Sequence, residues 1–279
     1  MKTKKNVFKL LFLAFVILFI GACNDDDPQP LSFYNTYYEV PVHGTRYIGP
    51  QTGSGDYSFQ IENPYMFSAL EEKDWSAPEG MFLLRGLLTG ESTLIVTDNR
   101  TRETASLAIK VTDSYEVLWV STLYWDDSTS TIKKNEHPVF SKIPFVYLIN
   151  NQARDVYFAD RSGENSLTGS GIIIKGKGTY SFTMEEGKHY LTLTYPADEN
   201  GRLTDDVSAI STTQKFEITQ SSEFLLHRLD ENLNLGWGTP AKAYPDSLQG
   251  DAITMKGVNS TYQLDGKFEQ IEIPTRVLN

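Results

Sequence analysis

Apolar residues recur at every second position through most of this 279-residue chain after residue 30. That period belongs to a pleated strand, whose successive side chains point to opposite faces. Tyr38, Val40 and Val42 share one parity. So do Tyr57, Phe59 and Ile61, then Leu94 and Val96, then Ala105, Leu107, Ile109 and Val111. Between these sets stand Gly53-Ser54-Gly55-Asp56, Pro78-Glu79-Gly80, Thr89-Gly90-Glu91 and Asp98-Asn99-Arg100. Glycine there supplies positive φ, while Asp and Asn bond their own backbone. Short strands and turns at this spacing predict an antiparallel sandwich over residues 31–113. The aromatic stretch from Pro64 to Trp75 interrupts the pattern and reads as an insertion.

Residues 114–279 continue in the same manner, joined abruptly near Thr112 to Tyr115 without a Gly-, Ser- or Pro-rich linker. Phe145 to Ile149, Asp155 to Phe158 and Ile172 to Ile174 are short strand-like runs. Tyr180, Phe182 and Met184 alternate, as do Leu191, Leu193 and Tyr195, with Glu186-Gly187-Lys188 as a tight hairpin connection. Phe216 and Ile218, Phe224 to Leu226, Ile253 and Met255, and Tyr262 and Leu264 complete the set. Helical periodicity is nearly absent, so the chain is expected to be all-β, its second domain a closed barrel or a second sandwich. Pro196 to Thr213 has few apolar residues and reads as a long loop over one end of that domain.

The first thirty residues carry a different signal. Lys2, Lys4 and Lys5 precede an apolar run from Phe8 to Ile20, then small residues, Cys23 and Asn24-Asp25-Asp26-Asp27. The run is shorter than the roughly 20 apolar residues a spanning helix needs, so residues 1–22 read as a cleaved export signal. Cys23 is the sole cysteine, which excludes an intramolecular disulfide framework. A lone thiol at the cleavage point reads as a lipidation site, and residues 23–30 as an acidic, Pro-containing tether. Removing residues 1–22 deletes four lysines and no acid, moving the formal charge from −11 to −15. Nucleic acid and anionic lipid surfaces are poor partners for such a body.

Ile20-Gly21-Ala22-Cys23 resembles the bacterial lipobox, which implies a diacylglyceryl thioether and an acylated amino terminus on Cys23. The acids behind it resemble the export signal of Bacteroidetes surface lipoproteins, implying an outer-membrane anchor facing the exterior. Gly53 to Phe59, Leu84 to Asp98 and Ala108 to Thr112, with a Gly-x-x-x-Gly-x-x-x-Leu-x-Val-x-Asp core, resemble bacterial Ig-like domains. That resemblance implies a spacer or adhesion module without catalysis. Gly178 to Phe182, Leu191 to Tyr195, Phe216 to Ile218 and Phe224 to Leu226 resemble lipocalin-like domains of lipoproteins, although the Gly-x-Trp signature is missing. Asp127-Ser128-Thr129 and Asp246-Ser247-Leu248 resemble the O-glycosylation acceptor motif of the same bacterial group.

Chemistry is sparsely marked. The four histidines, His43, His137, His189 and His227, have no metal-ligand spacing, and His189 and His227 sit in strand-like stretches as surface or rim imidazoles. No nucleophile elbow, phosphate loop, dinucleotide fingerprint or calcium loop is visible, so no cofactor is expected. Sugar rings stack on aromatic faces, which makes Trp119, Tyr124, Trp125 and Trp237 the candidate ligand-binding residues. Trp237, between Gly236 and Gly238, is expected as the most exposed platform. The expected function is a non-catalytic surface lipoprotein whose Ig-like spacer presents a β domain to a glycan, small ligand or outer-membrane protein. The alternative is a polysaccharide hydrolase using a carboxylate pair, with Glu71-Glu72, Asp126-Asp127, Glu185-Glu186 and Asp205-Asp206 as the available acids.

Overall fold

The computed structural model describes residues 29–72, 76–125, 137–161, 171–206, 208–238, 250–260 and 262–278. The export signal, Cys23, Trp75, Asp126-Asp127 and both glycosylation motifs lie outside the described residues.

Seven strands form a two-sheet sandwich: β1 (Tyr37–Pro41), β2 (Thr45–Ile48), β3 (Tyr57–Ile61), β4 (Phe67–Glu71), β5 (Phe82–Gly86), β6 (Gly90–Asp98) and β7 (Thr104–Thr112). The sheet orders are β1-β7-β6-β3 and β2-β5-β4. β1 runs parallel to β7, from Tyr37↔Ala108 to Pro41↔Thr112. Tyr38, Val40, Tyr57, Leu94, Val96 and Ile109 meet between the sheets, as their shared parity requires. Within the stretch from Pro64, β4 is an edge strand of the second sheet, with Phe67 fully buried and Leu70 exposed. An apolar residue on its outer face blurs the alternation.

The Gly-x-x-x-Gly core has a geometric cause. A Cβ on Gly86 would collide with the Pro41 carbonyl oxygen where β1 and β5 approach, and Gly90 holds φ +144° against the Met66 side chain. Asp98, buried at the end of β6, is a structural hub that accepts from the amides of Ser54, Arg100 and Thr101 and from the Ser54 hydroxyl.

The second domain is a closed eight-stranded barrel, which decides between the two expected forms. Its strands are β8 (Tyr115–Trp125), β9 (Phe145–Ile149), β10 (Asp155–Arg161), β11 (Ile172–Glu185), β12 (Lys188–Ala197), β13 (Ile210–Ser221), β14 (Ala252–Gly257) and β15 (Tyr262–Glu269). Each pairs antiparallel with its sequence neighbours, and β15 closes on β8. This is the up-and-down arrangement of small β-barrels. Glu186 and Gly187, with φ 52° and 79°, make the two-residue β11–β12 turn, as a primed hairpin turn demands.

Helix α1 (Glu223–Leu233) departs from the expectation of pure strand, and it carries Phe224 to Leu226 and His227. Ser222 caps it, its hydroxyl accepting from the Leu225 amide at 3.0 Å, and Glu223 occupies the first turn. Leu225, Leu229 and Leu233, four residues apart, are fully buried in the barrel core. Each stabilises the plugged end by about 2 kcal/mol through burial. Phe140, Phe158, Tyr180, Tyr195, Phe216 and Phe268 fill the space between the walls, so the described interior is a packed core.

The segment expected as a long loop is shorter, because Pro196 and Ala197 finish β12 and Ile210 to Thr213 open β13. What lies between is stitched to the barrel: Leu203 packs over Gly176 and bridges Ala197, and the Tyr195 hydroxyl donates to the Gly201 carbonyl at 3.3 Å.

Candidate functional site

The barrel wall opens at its helix-plugged end. The β12–β13 ladder runs from Ala197↔Ile210 to Tyr190↔Glu217 and stops, although β12 begins at Lys188 and β13 continues to Ser221. The outlying residues follow their other neighbours instead. Lys188 and His189 stay paired with Glu185 and Met184, while Ile218, Gln220 and Ser221 follow β14 past a bulge at Thr219. Two strands that part in this way leave a wedge between them. An open groove of about 570 Å³ occupies it, lined by Lys188, His189, Ile218, Gln220, Ser221 and Leu226 of α1.

His189 shares the inward parity of Leu191, Leu193 and Tyr195. Its ring meets Trp237 at 4.5 Å between centroids, and Trp237 meets Phe182 edge-on at 5.5 Å. Burial holds the His189 imidazole below its ordinary value, with the Asp230 charge opposing. Neutral imidazole at pH 7 offers the groove one donor and one acceptor. Lys188 Nζ pairs with Glu217 Oε1 at 2.9 Å, placing one charge of each sign at the rim. Apolar Ile218 and Leu226 therefore stand beside hydroxyl, amide and charged groups.

Trp237 is a half-buried wedge and not the exposed platform expected. α1 ends at Asn234 in the left-handed region, and the Trp237 amide donates to Asp230 Oδ1 at 2.9 Å, folding the chain back over the barrel. The flanking glycines, Gly236 at φ 73° and Gly238 at 68°, permit that turn. The other aromatic candidates are not brought to it. Trp119 lies half-buried on the outer wall of β8 beneath Lys267 Nζ, 4.8 Å from its ring centroid. Tyr124 and Trp125 pair with Gln263 and Tyr262 at the far end of β8, and their side chains lie outside the described residues.

Expected imidazoles are likewise redistributed. His227 is a buried helix residue whose Nε2 lies 3.4 Å from Glu231, and His43 is a turn residue with φ 63°. His137 is buried at the opposite end among Phe140, Phe216 and Tyr262, its Nδ1 accepting from the Val139 and Phe140 amides. Among the described residues, no group of three or more His, Cys, Asp or Glu side chains is placed to hold a metal ion.

Two of the acids singled out in the sequence, Glu185 and Asp206, have structural partners. Glu185 accepts from Lys215 Nζ at 2.7 and 2.8 Å, which holds its carboxyl below the usual range, and Asp206 accepts from the Ser208 amide and hydroxyl. Glu116 on β8, missed in the sequence, is a carboxyl that burial pushes up, against the pull of Arg228 and Asn232. Both of its oxygens are engaged: Oε1 accepts from Asn232 Nδ2 at 2.6 Å and Oε2 from Arg228 Nη2 at 3.1 Å. That network ties α1 to the barrel wall.

No protein-family model matches the chain, and no curated protein matches it. Among solved structures it is similar to domains 5–6 of the S-layer protein SbsC, at 10% identity and TM-score 0.26, over 67% of this chain and 96% of that one. It is also similar to human protocadherin-24 EC1-2, at 14% identity and TM-score 0.22, over 68% and 94%. Superpositions this loose assign neither family nor function.

Proposed function

We propose that this chain is a lipid-anchored surface protein whose sandwich holds the barrel away from the membrane so that the wedge between β12 and β13 takes a ligand. The arrangement of the sandwich carries the reading. Leu31 bonds Glu103 at the start of β7, whereas the barrel begins just after β7 ends at Thr112. Leu31, which follows the proposed tether in sequence, and the barrel are thus at opposite ends of a nine-residue strand, a separation of about 30 Å. Spacing of that kind serves display. Proteinase treatment of intact cells, with [³H]palmitate labelling of the native chain and of Cys23→Ser, tests the anchor: labelling and cleavage should both be lost in the variant.

The wedge pairs an apolar edge, Ile218 and Leu226, with Gln220, Ser221 and the Lys188–Glu217 pair. A sugar ring has the same two-sided chemistry, apolar C–H faces and hydroxyl edges, so a glycan is the ligand class this groove suits. A glycan array on the chain from Asn24 onward, compared with Leu226→Lys, tests it. Binding that is lost in the variant, without release of reducing ends, is the expected result. Release of reducing ends supports the hydrolase instead.

A further inference from the structure

We infer that residues 270–278 form a splint that locks sandwich and barrel into one rigid body. After β15 the chain leaves the barrel and runs over the outer wall of β8, β9 and β10. Ile273 and Leu278 are buried there against Val117, Phe145, Tyr147 and Ile149. The outward side of β9 is thereby covered, so all five of its residues are buried.

Three tyrosines of the barrel bond the tail's backbone. The Ile273 amide donates to the Tyr115 hydroxyl at 3.2 Å, and the Tyr147 and Tyr157 hydroxyls donate to the carbonyls of Glu272 and Val277, each at 3.4 Å. The sandwich holds the same nine residues from the other side. Arg46 pairs with Glu272 at 3.2 Å, Lys110 Nζ donates to the Leu278 carbonyl at 3.1 Å, and Glu39 Oε1 accepts from the Arg276 amide at 2.8 Å. The Arg276 guanidinium also lies 5.3 Å from the Tyr37 ring centroid.

Glu39 explains why this is a built contact. It sits on the outward face of β1, where a strand of a free sandwich would show a solvated carboxylate, yet it is only 6% exposed. Its Oε1 also accepts from the Tyr37 hydroxyl at 2.5 Å. A buried carboxylate needs such donors, and one of them is supplied by the tail. The tail's contacts alternate between modules, so neither module can rotate about Asp113-Ser114 without breaking bonds to it.

Scanning calorimetry and small-angle scattering on the chain from Asn24 onward test the splint, because that chain keeps every described residue. The full chain should melt in one transition. A chain ending at Gln270 should melt in two and gain several ångströms in radius of gyration. Glu39→Ala combined with Arg46→Ala removes only sandwich-side contacts and should also split the transition, leaving the barrel's midpoint unmoved. Two independent transitions in the full chain would overturn the inference. So would a double variant that keeps the full chain's single transition and radius, even if the truncated chain unfolds.

Discussion

Asp98 takes both hydrogen bonds that Ser54 can donate, Oδ2 from the amide at 2.8 Å and Oδ1 from the hydroxyl at 2.7 Å, across 44 residues of sequence. Burial alone would push this carboxyl up, but the donors from Ser54, Thr101 and Arg100 outweigh it and the net shift is downward. Asp98→Ala leaves those donors without their acceptor and is expected to destabilise the sandwich by about 2–4 kcal/mol in urea unfolding. Because the folded carboxyl titrates below the unfolded one, its contribution is full above a pH of about 4 and is lost as pH falls further. Asp98→Asn should therefore flatten the acid limb of the stability profile.

Arg228 is held between Glu116 and Asp251, the latter at 2.5 Å. Replacing it with alanine strands Glu116 as a buried charge, and the barrel should lose about 3–5 kcal/mol. Glu116→Gln combined with Arg228→Met removes both charges and should recover most of that loss. A double-mutant cycle by chemical denaturation measures the coupling.

His137 makes the barrel sensitive to mild acid. Burial lowers its pKa to about 4 from an ordinary 6.5, so the unfolded chain binds the extra proton first as pH falls. Stability should drop progressively between pH 6.5 and 4, by roughly 3 kcal/mol over the whole span. His137→Gln should remove that slope, whatever it does to stability at pH 7.5. Urea midpoints at pH 7.5 and 5.0 provide the comparison.

The contact between His189 and Trp237 should be visible in emission. Protonated imidazole quenches a neighbouring indole, and His189 titrates below its ordinary value because it is partly desolvated. Intrinsic fluorescence should fall on acidification with a midpoint below pH 6.5. His189→Gln should abolish that component, and a ligand seated in the wedge should move its midpoint. A component unchanged in the variant would assign the quenching elsewhere.

The strands were legible where one face is buried and the other wet, as in β6 with Leu94 and Val96. Closure of the barrel was not, because β15 paired to β8 and β15 at the edge of a sandwich have the same alternation. α1 did leave a trace: Ser222 before Glu223, then Leu225, Leu229 and Leu233 every four residues. Three consecutive apolar residues, Phe224 to Leu226, masked it as a strand. The groove has no local signature at all, since it depends on where two ladders stop. The glycines beside Trp237 mark a turn in the sequence, but its fold back over the barrel depends on the backbone bond to Asp230. Nothing local in the sequence marks the burial of Glu39, because the Arg276 amide that bonds its carboxylate stands more than two hundred positions away.

The pairing of β15 with β8 also dictates an order of assembly. All seven sandwich strands are available once the chain has reached Thr112, so that unit can collapse while later residues are still being made. The first barrel strand must wait for Glu269 before its second edge is satisfied. Until then β8 is an open template of backbone donors and acceptors next to a folded neighbour, and its long-range closure is the slow step of maturation.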